Sequence, residues 1–131
     1  MYASEWKTVL LDYDRSTEFS GDDADRFSAL CDLEDNYEFL TAFIPALDAS
    51  AQISPYIQRD EAIASVPVAV HHFHDIDADG TVAQSTASGA GGIVVTFNIG
   101  GARYFRLHAS ANQAANRTFY CRGFNRVSFG G

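Results

Sequence analysis

The sequence predicts an all-β fold, an antiparallel β-sandwich of jelly-roll type with about eight strands. Three observations carry this. Apolar residues alternate with period two along most of the chain. The alternating runs are short and are separated by Gly, Asp, Asn or Ser. No stretch has helical spacing long enough for the crossover that parallel neighbours require, so the strands pair antiparallel. With 131 residues, 47% of them hydrophobic, the chain can bury one sizeable core. It reads as a single domain, 1–131, and shows no internal repeat.

The first strand is expected at 8–13, followed by a polar acidic loop over 14–25. Residues 27–32 form the second. Glu34-Asp35-Asn36 reads as a turn into the third, 37–44. There Tyr37, Phe39, Thr41 and Phe43 share one face and Leu40, Ala42 and Ile44 the other. Two apolar faces suggest a central strand. Pro45 ends it, because proline cannot donate to a ladder. The fourth strand is 52–59, and Pro55 marks it as an edge or bulged strand. Residues 66–74 are the fifth, 77–80 a hairpin turn, and 85–92 a small, glycine-rich loop.

The clearest strand is 92–100, with Ile93, Val95, Phe97 and Ile99 on one face and Val94, Thr96 and Asn98 on the other. Gly100-Gly101 is expected to turn the chain. Strand 103–109 follows, with Phe105 and Leu107 inward and Tyr104, Arg106 and His108 opposite. After a polar loop at 110–116, strand 117–123 points Phe119 and Cys121 inward. Residues 127–129 could extend the sheet. Phe97, Ile99, Phe105, Leu107 and Phe119 should form one core. Cys31 and Cys121 read as buried structural thiols, since two cysteines without metal-ligand spacing make no scaffold.

The net charge of −8 argues against a generic nucleic-acid binder. Its distribution is uneven. All 17 acidic residues precede Gly80, whereas the rest of the chain holds five arginines and no acid. Early acidic strands can pair with late basic ones inside one sheet. Alternatively, a two-signed surface docks to copies of the chain or to a larger assembly. Arginine suits such contacts, because its planar fork bonds bidentately and sheds water readily. No apolar run reaches membrane-span length. The opening residues lack a basic segment followed by an apolar one, so synthesis in a cytosol is expected.

Asp75-Ile76-Asp77-Ala78-Asp79-Gly80 places carboxylates at alternate positions, as a calcium loop does. The twelfth position is Thr86 rather than a bidentate Glu, and the flanks read as strands. A hairpin turn explains Asp79-Gly80 without metal. His72 and His74 share a face beside Asp75, Asp77 and Asp79, with His71 opposite, so a transition metal is a second possibility to test. No cofactor is expected. No nucleophile motif occurs, and Gly89-Ala90-Gly91-Gly92 precedes no helix that would make a phosphate cradle. A non-enzymatic protein is the expectation. Trp6, Tyr56, Tyr104 and Tyr120 are aromatics that could stack on a surface glycan.

Gly100-Gly101-Ala102-Arg103-Tyr104-Phe105-Arg106-Leu107, followed by Gln113-Ala114-Ala115-Asn116-Arg117-Thr118-Phe119, resembles the C-terminal half of small β-sandwich virion proteins of tailed bacteriophages. Phe39-Leu40-Thr41-Ala42-Phe43-Ile44-Pro45 resembles their extended strand ending in proline. The likeness covers roughly 37–123; Gln58-Arg59-Asp60-Glu61 departs from it, lacking the glycine turn and tryptophan. It implies a virion structural protein made in the host bacterial cytoplasm, foremost a capsid decoration (cement) protein. Its partners would be the major capsid protein and copies of itself, with no direct nucleic acid and no membrane. A carbohydrate-binding module and a head–tail connector or neck component are the alternatives. The partner-binding residues would be Arg103, Arg106, Arg117, Arg122, Tyr104 and Tyr120.

Overall fold

The computed structural model of the chain describes residues 2–12, 26–62, 66–70, 84–85 and 91–126. They form an all-β fold, with a 3-10 turn at Asp48–Ser50. The strands are β1 (Tyr2–Ala3), β2 (Lys7–Leu11), β3 (Cys31–Ile44), β4 (Ile53–Gln58), β5 (Val68–Ala69), β6 (Ile93–Ala109) and β7 (Arg117–Asn125). All described pairings are antiparallel. They build one open seven-stranded sheet in the order β1-β7-β3-β6-β4-β5, with β2 also on β7. The described strands thus make one continuous ladder.

Two predicted turns are instead continuous strand. Glu34-Asp35-Asn36 lies inside β3, and Gly100-Gly101 lies inside β6. Glu34, Gly100 and Gly101 take φ values of 69°, 67° and 89°. This left-handed region is what glycine tolerates and what bulges use. The β3–β6 register shifts between Asp32 and Tyr37 and again between Tyr37 and Phe39, at the level where Gly100-Gly101 interrupts β6. Each irregularity is accommodated by the other strand, so both strands continue through it. Asp32 holds the site: its Oδ1 accepts from the Glu34 backbone N–H at 2.7 Å. It also receives a two-pronged bond from Arg103, at 2.7 and 3.1 Å.

The inner face carries the core. Phe97, Ile99, Phe105, Leu107 and Phe119 are all buried in one cluster with Val9, Leu11, Leu40, Ala42, Ile44 and Ile53. On β3 the Leu40, Ala42 and Ile44 set turns inward. The second register shift brings Tyr37 in with them, although simple alternation groups it with Phe39 and Phe43. Pro55 is accommodated because its carbonyl points away from β6, accepting from Val70 N at 3.1 Å. The missing N–H falls on that same side, where only two-residue β5 pairs.

Ser4 joins β1 to β2. Its N–H donates to Gly123 O at 2.8 Å, and its Oγ accepts from Gly123 N at 3.0 Å. A side chain thus completes the ladder where the backbone departs from it. On the inner side of Gly123 lies the Tyr37 ring; a Cβ there would sit 2.7 Å from its carbons. Gly123→Ala should therefore cost about 1–3 kcal/mol by overpacking. A urea titration checks this, and Tyr37→Leu should relieve part of the loss in the double variant.

Both cysteines are free and buried. Burial pushes the Cys31 thiol up to about 12 and raises Cys121 as well. Neither supplies thiolate near neutrality. Native protein should react with a thiol-specific disulfide reagent at least ~100-fold more slowly than urea-unfolded protein. Comparable rates would show that the core is open at those strands.

Candidate functional site

The sheet's outer face divides into a covered end and an open end. At the covered end lie the outward side chains of β4 and the second half of β6. Tyr56, His108 and Phe27 form a ring cluster with centroids 4.7–5.0 Å apart. Beside it Arg106 is only 1% exposed. Its Nε donates to Gln58 Oε1 at 2.7 Å and its Nη1 to Ser28 O at 3.0 Å. Gln58 Nε2 in turn donates to the carbonyls of Asp60 and Ala62. Alternation does place Arg106 opposite the core, but its guanidinium is turned to the chain's own groups: Gln58 on the neighbouring β4 and Ser28 in the segment that runs antiparallel beside β6 ahead of β3.

The other arginines are spread apart. Arg103 forks onto Asp32 and lies 5.1 Å from the centroid of the half-buried Tyr104 ring. That bonding, chiefly from Arg103, holds the Asp32 carboxyl below its ordinary range. Arg117 meets Asp48 at 3.0 Å and Gln113 Oε1 at 3.2 Å. The Asp48 carboxyl is lowered, first by the Ala114 N–H that donates to it and then by Arg117. Arg126 meets Glu38 at 3.4 Å. These pairings join the acidic early strands to the basic late ones within one chain.

Arg122 differs. Its Nε donates to Ser4 O at 2.9 Å, and its guanidinium stands 5.7 Å from the Trp6 ring centroid. It meets no carboxylate among the described residues. Arg122 and Tyr120 belong to the open end, made by β2, β7, β3 and the first half of β6. Register sets its rows. Phe43 lies between Tyr120 and Val94, Thr41 between Arg122 and Thr96, and Phe39 between Phe124 and Asn98. Thr8 and Leu10 extend the rows onto β2. Trp6, in the break that Ser4 bridges, packs on Phe43 at 5.4 Å. Phe39 stacks on Phe124, and the Thr41 and Thr96 hydroxyls bond at 3.1 Å. Trp6, Phe43, Val94 and Tyr120 are 48, 45, 55 and 52% exposed.

The open end has an interface composition: aromatics and arginine, with no Asp or Glu at any of its outward strand positions. An apolar groove of about 480 Å³ runs along its margin, lined by Phe43, Pro45, Ile93, Val94, Thr118 and Tyr120. A smaller hollow of about 270 Å³ lies over Trp6, Thr41, Arg122 and Phe124. Of the six residues expected to contact a partner, only Arg122 and Tyr120 meet here. Phe43 and Val94 were not singled out by sequence. The one signal for Phe43 was a strand apolar on both faces, which leaves one apolar face to solvent if only the other is covered. Asp75, Asp77, Asp79, His71, His72 and His74 lie outside the described residues. Among the described residues, no helix is long and apolar enough to cross a membrane.

Comparison with known proteins finds no match to a family model, to a curated protein or to a solved structure.

Proposed function

We propose that the chain is a structural component of a tailed-bacteriophage virion, a capsid decoration (cement) protein that docks through the open end of its outer face. One observation carries the reading. A four-strand platform carries exposed Phe43, Val94 and Tyr120, with Trp6 beside them and Arg122 among them, and has no carboxylate among its outward strand positions. Exposed apolar groups gathered in this way mark a contact surface. The virion assignment is supported by the sequence resemblance over Gly100–Leu107 and Gln113–Phe119. On this reading the protein has no catalytic role. It adds interface free energy between neighbouring shell subunits. The two-layer jelly roll of that resemblance belongs to the proposal, alongside the single sheet described above.

The test is co-sedimentation with capsids assembled from the major capsid protein of the same genome. Wild-type chain should pellet with the particles. Trp6→Ala with Tyr120→Ala should abolish pelleting while leaving the thermal melt within a few degrees. Absence of wild-type binding would refute the cement reading. A carbohydrate-binding role has its own support, the hollow where Trp6 and Arg122 lie beside the Thr41 hydroxyl. Trp6-dependent retention on a glycan column, without capsid binding, would establish it instead.

A further inference from the structure

We infer that the platform receives an acidic segment of a partner protein, with an Asp or Glu carboxylate seated on Arg122 and a neighbouring apolar side chain in the groove between β3, β6 and β7. This rests on the docking role proposed above for that face.

Three observations single out this occupant. The first is the state of Arg122. Its Nε is fixed to the Ser4 carbonyl and its plane is held near Trp6, yet Nη1 and Nη2 meet no acceptor among the described residues. Arg103, Arg117 and Arg126 each meet a carboxylate of the same chain. A pre-oriented fork with unused donors is complementary to a carboxylate. The second is spacing. Tyr120, which lines the groove, precedes Arg122 by two residues on β7, so the groove and the fork are roughly 7 Å apart. One short peptide segment spans both. The third argues against a symmetric second copy. Arg122 lies in the middle row of the platform, so an isologous pairing across it would bring two guanidinium groups together. The platform measures roughly 400 Å² from strand spacing and rise. That is about half of what each partner contributes to a standard stable interface. The binding is therefore modest per copy and gains from many copies on one particle.

The test selects a yeast-displayed library of random peptides against the full chain. Enriched peptides should carry Asp or Glu within two or three residues of Leu, Ile or Phe. Affinity of a selected peptide should fall about tenfold on Arg122→Gln and further on Arg122→Glu. Exchanging the peptide's acid for lysine should restore binding to Arg122→Glu. Phe43→Ser should weaken the same peptide independently of charge. Thermal melts of each variant verify folding, and Arg122→Gln keeps the test decisive if the charge reversal unfolds. No enrichment, a consensus without an acid, or unchanged affinity on Arg122→Gln overturns the inference. So does Trp6-dependent binding to polygalacturonate without peptide enrichment, which would assign the fork to an acidic sugar. Capsid binding that is lost in the Trp6 variant but indifferent to Arg122→Gln refutes the acidic partner alone. An acidic consensus without capsid binding refutes the virion reading alone.

Discussion

Arg106→Ala is expected to remove about 3–5 kcal/mol of stability, read as a fall in the urea midpoint at unchanged slope. The residue is almost wholly enclosed, and it holds together groups from three parts of the chain. Without its Nε, Gln58 Oε1 loses the donor at 2.7 Å; without Nη1, the Ser28 carbonyl loses the one at 3.0 Å. Each buried acceptor left bare costs about 1–3 kcal/mol. A cavity the size of the side chain adds to that. Ser28 cannot easily move to water, because its N–H donates to Leu107 O and its Oγ accepts from Leu107 N, both at 2.8 Å. Arg106→Lys should recover little, since an ammonium cannot serve two acceptors in the fork's geometry. Arg122→Ala is the control. Partly exposed, it should stay within about 1 kcal/mol of wild type. Equal losses at the two positions would mean that Arg106 is not enclosed as described.

Phe105→Ala should cost a similar amount, about 3–5 kcal/mol, through a different cause. The ring is fully buried, and its backbone pairs with Cys31 on one side and Ile57 on the other. Neighbours on two hydrogen-bonded strands cannot collapse into the space the ring leaves. Phe105→Leu should recover more than half of the loss, because it restores much of the volume. A loss below about 1 kcal/mol for the alanine variant would mean that the inner and outer faces of β6 had been exchanged.

Those two side chains also show how far the sequence could be read. Alternation correctly put Phe105 inside and Arg106 opposite, because period two fixes which residues share a face. It could not show that Ser28 and Gln58 take up its guanidinium from the two flanking strands, since the first of them lies nearly eighty positions away. Gly100-Gly101 and Glu34-Asp35-Asn36 read as turns for a sound reason. The residues that reverse a chain also tolerate the left-handed backbone of a bulge. Only the partner strand decides between the two outcomes, and here the two irregularities follow one another on either side of the Tyr37–Ala102 pair. At the open end, Tyr120 and Arg122 were legible as outward residues of a strand. Phe43 was not, because both faces of its strand are apolar and nothing local says which is covered.

The Ser4 junction bears on how the chain reaches this fold. Among the described residues, β1 and β2 pair with no strand except β7. Ser4 closes its two bonds on Gly123, 119 positions later. During synthesis the first two strands emerge long before the segment that completes them. Until then they present an unpaired edge beside the aromatic Trp6, the kind of surface that joins to other chains. The sheet's contacts are likewise mostly between distant segments, such as β3 with β6, so folding is slow for a protein of this size. Yield in recombinant expression should therefore depend on keeping nascent chains apart, and slower translation at lower temperature should help more than any gain in the stability of the finished sheet.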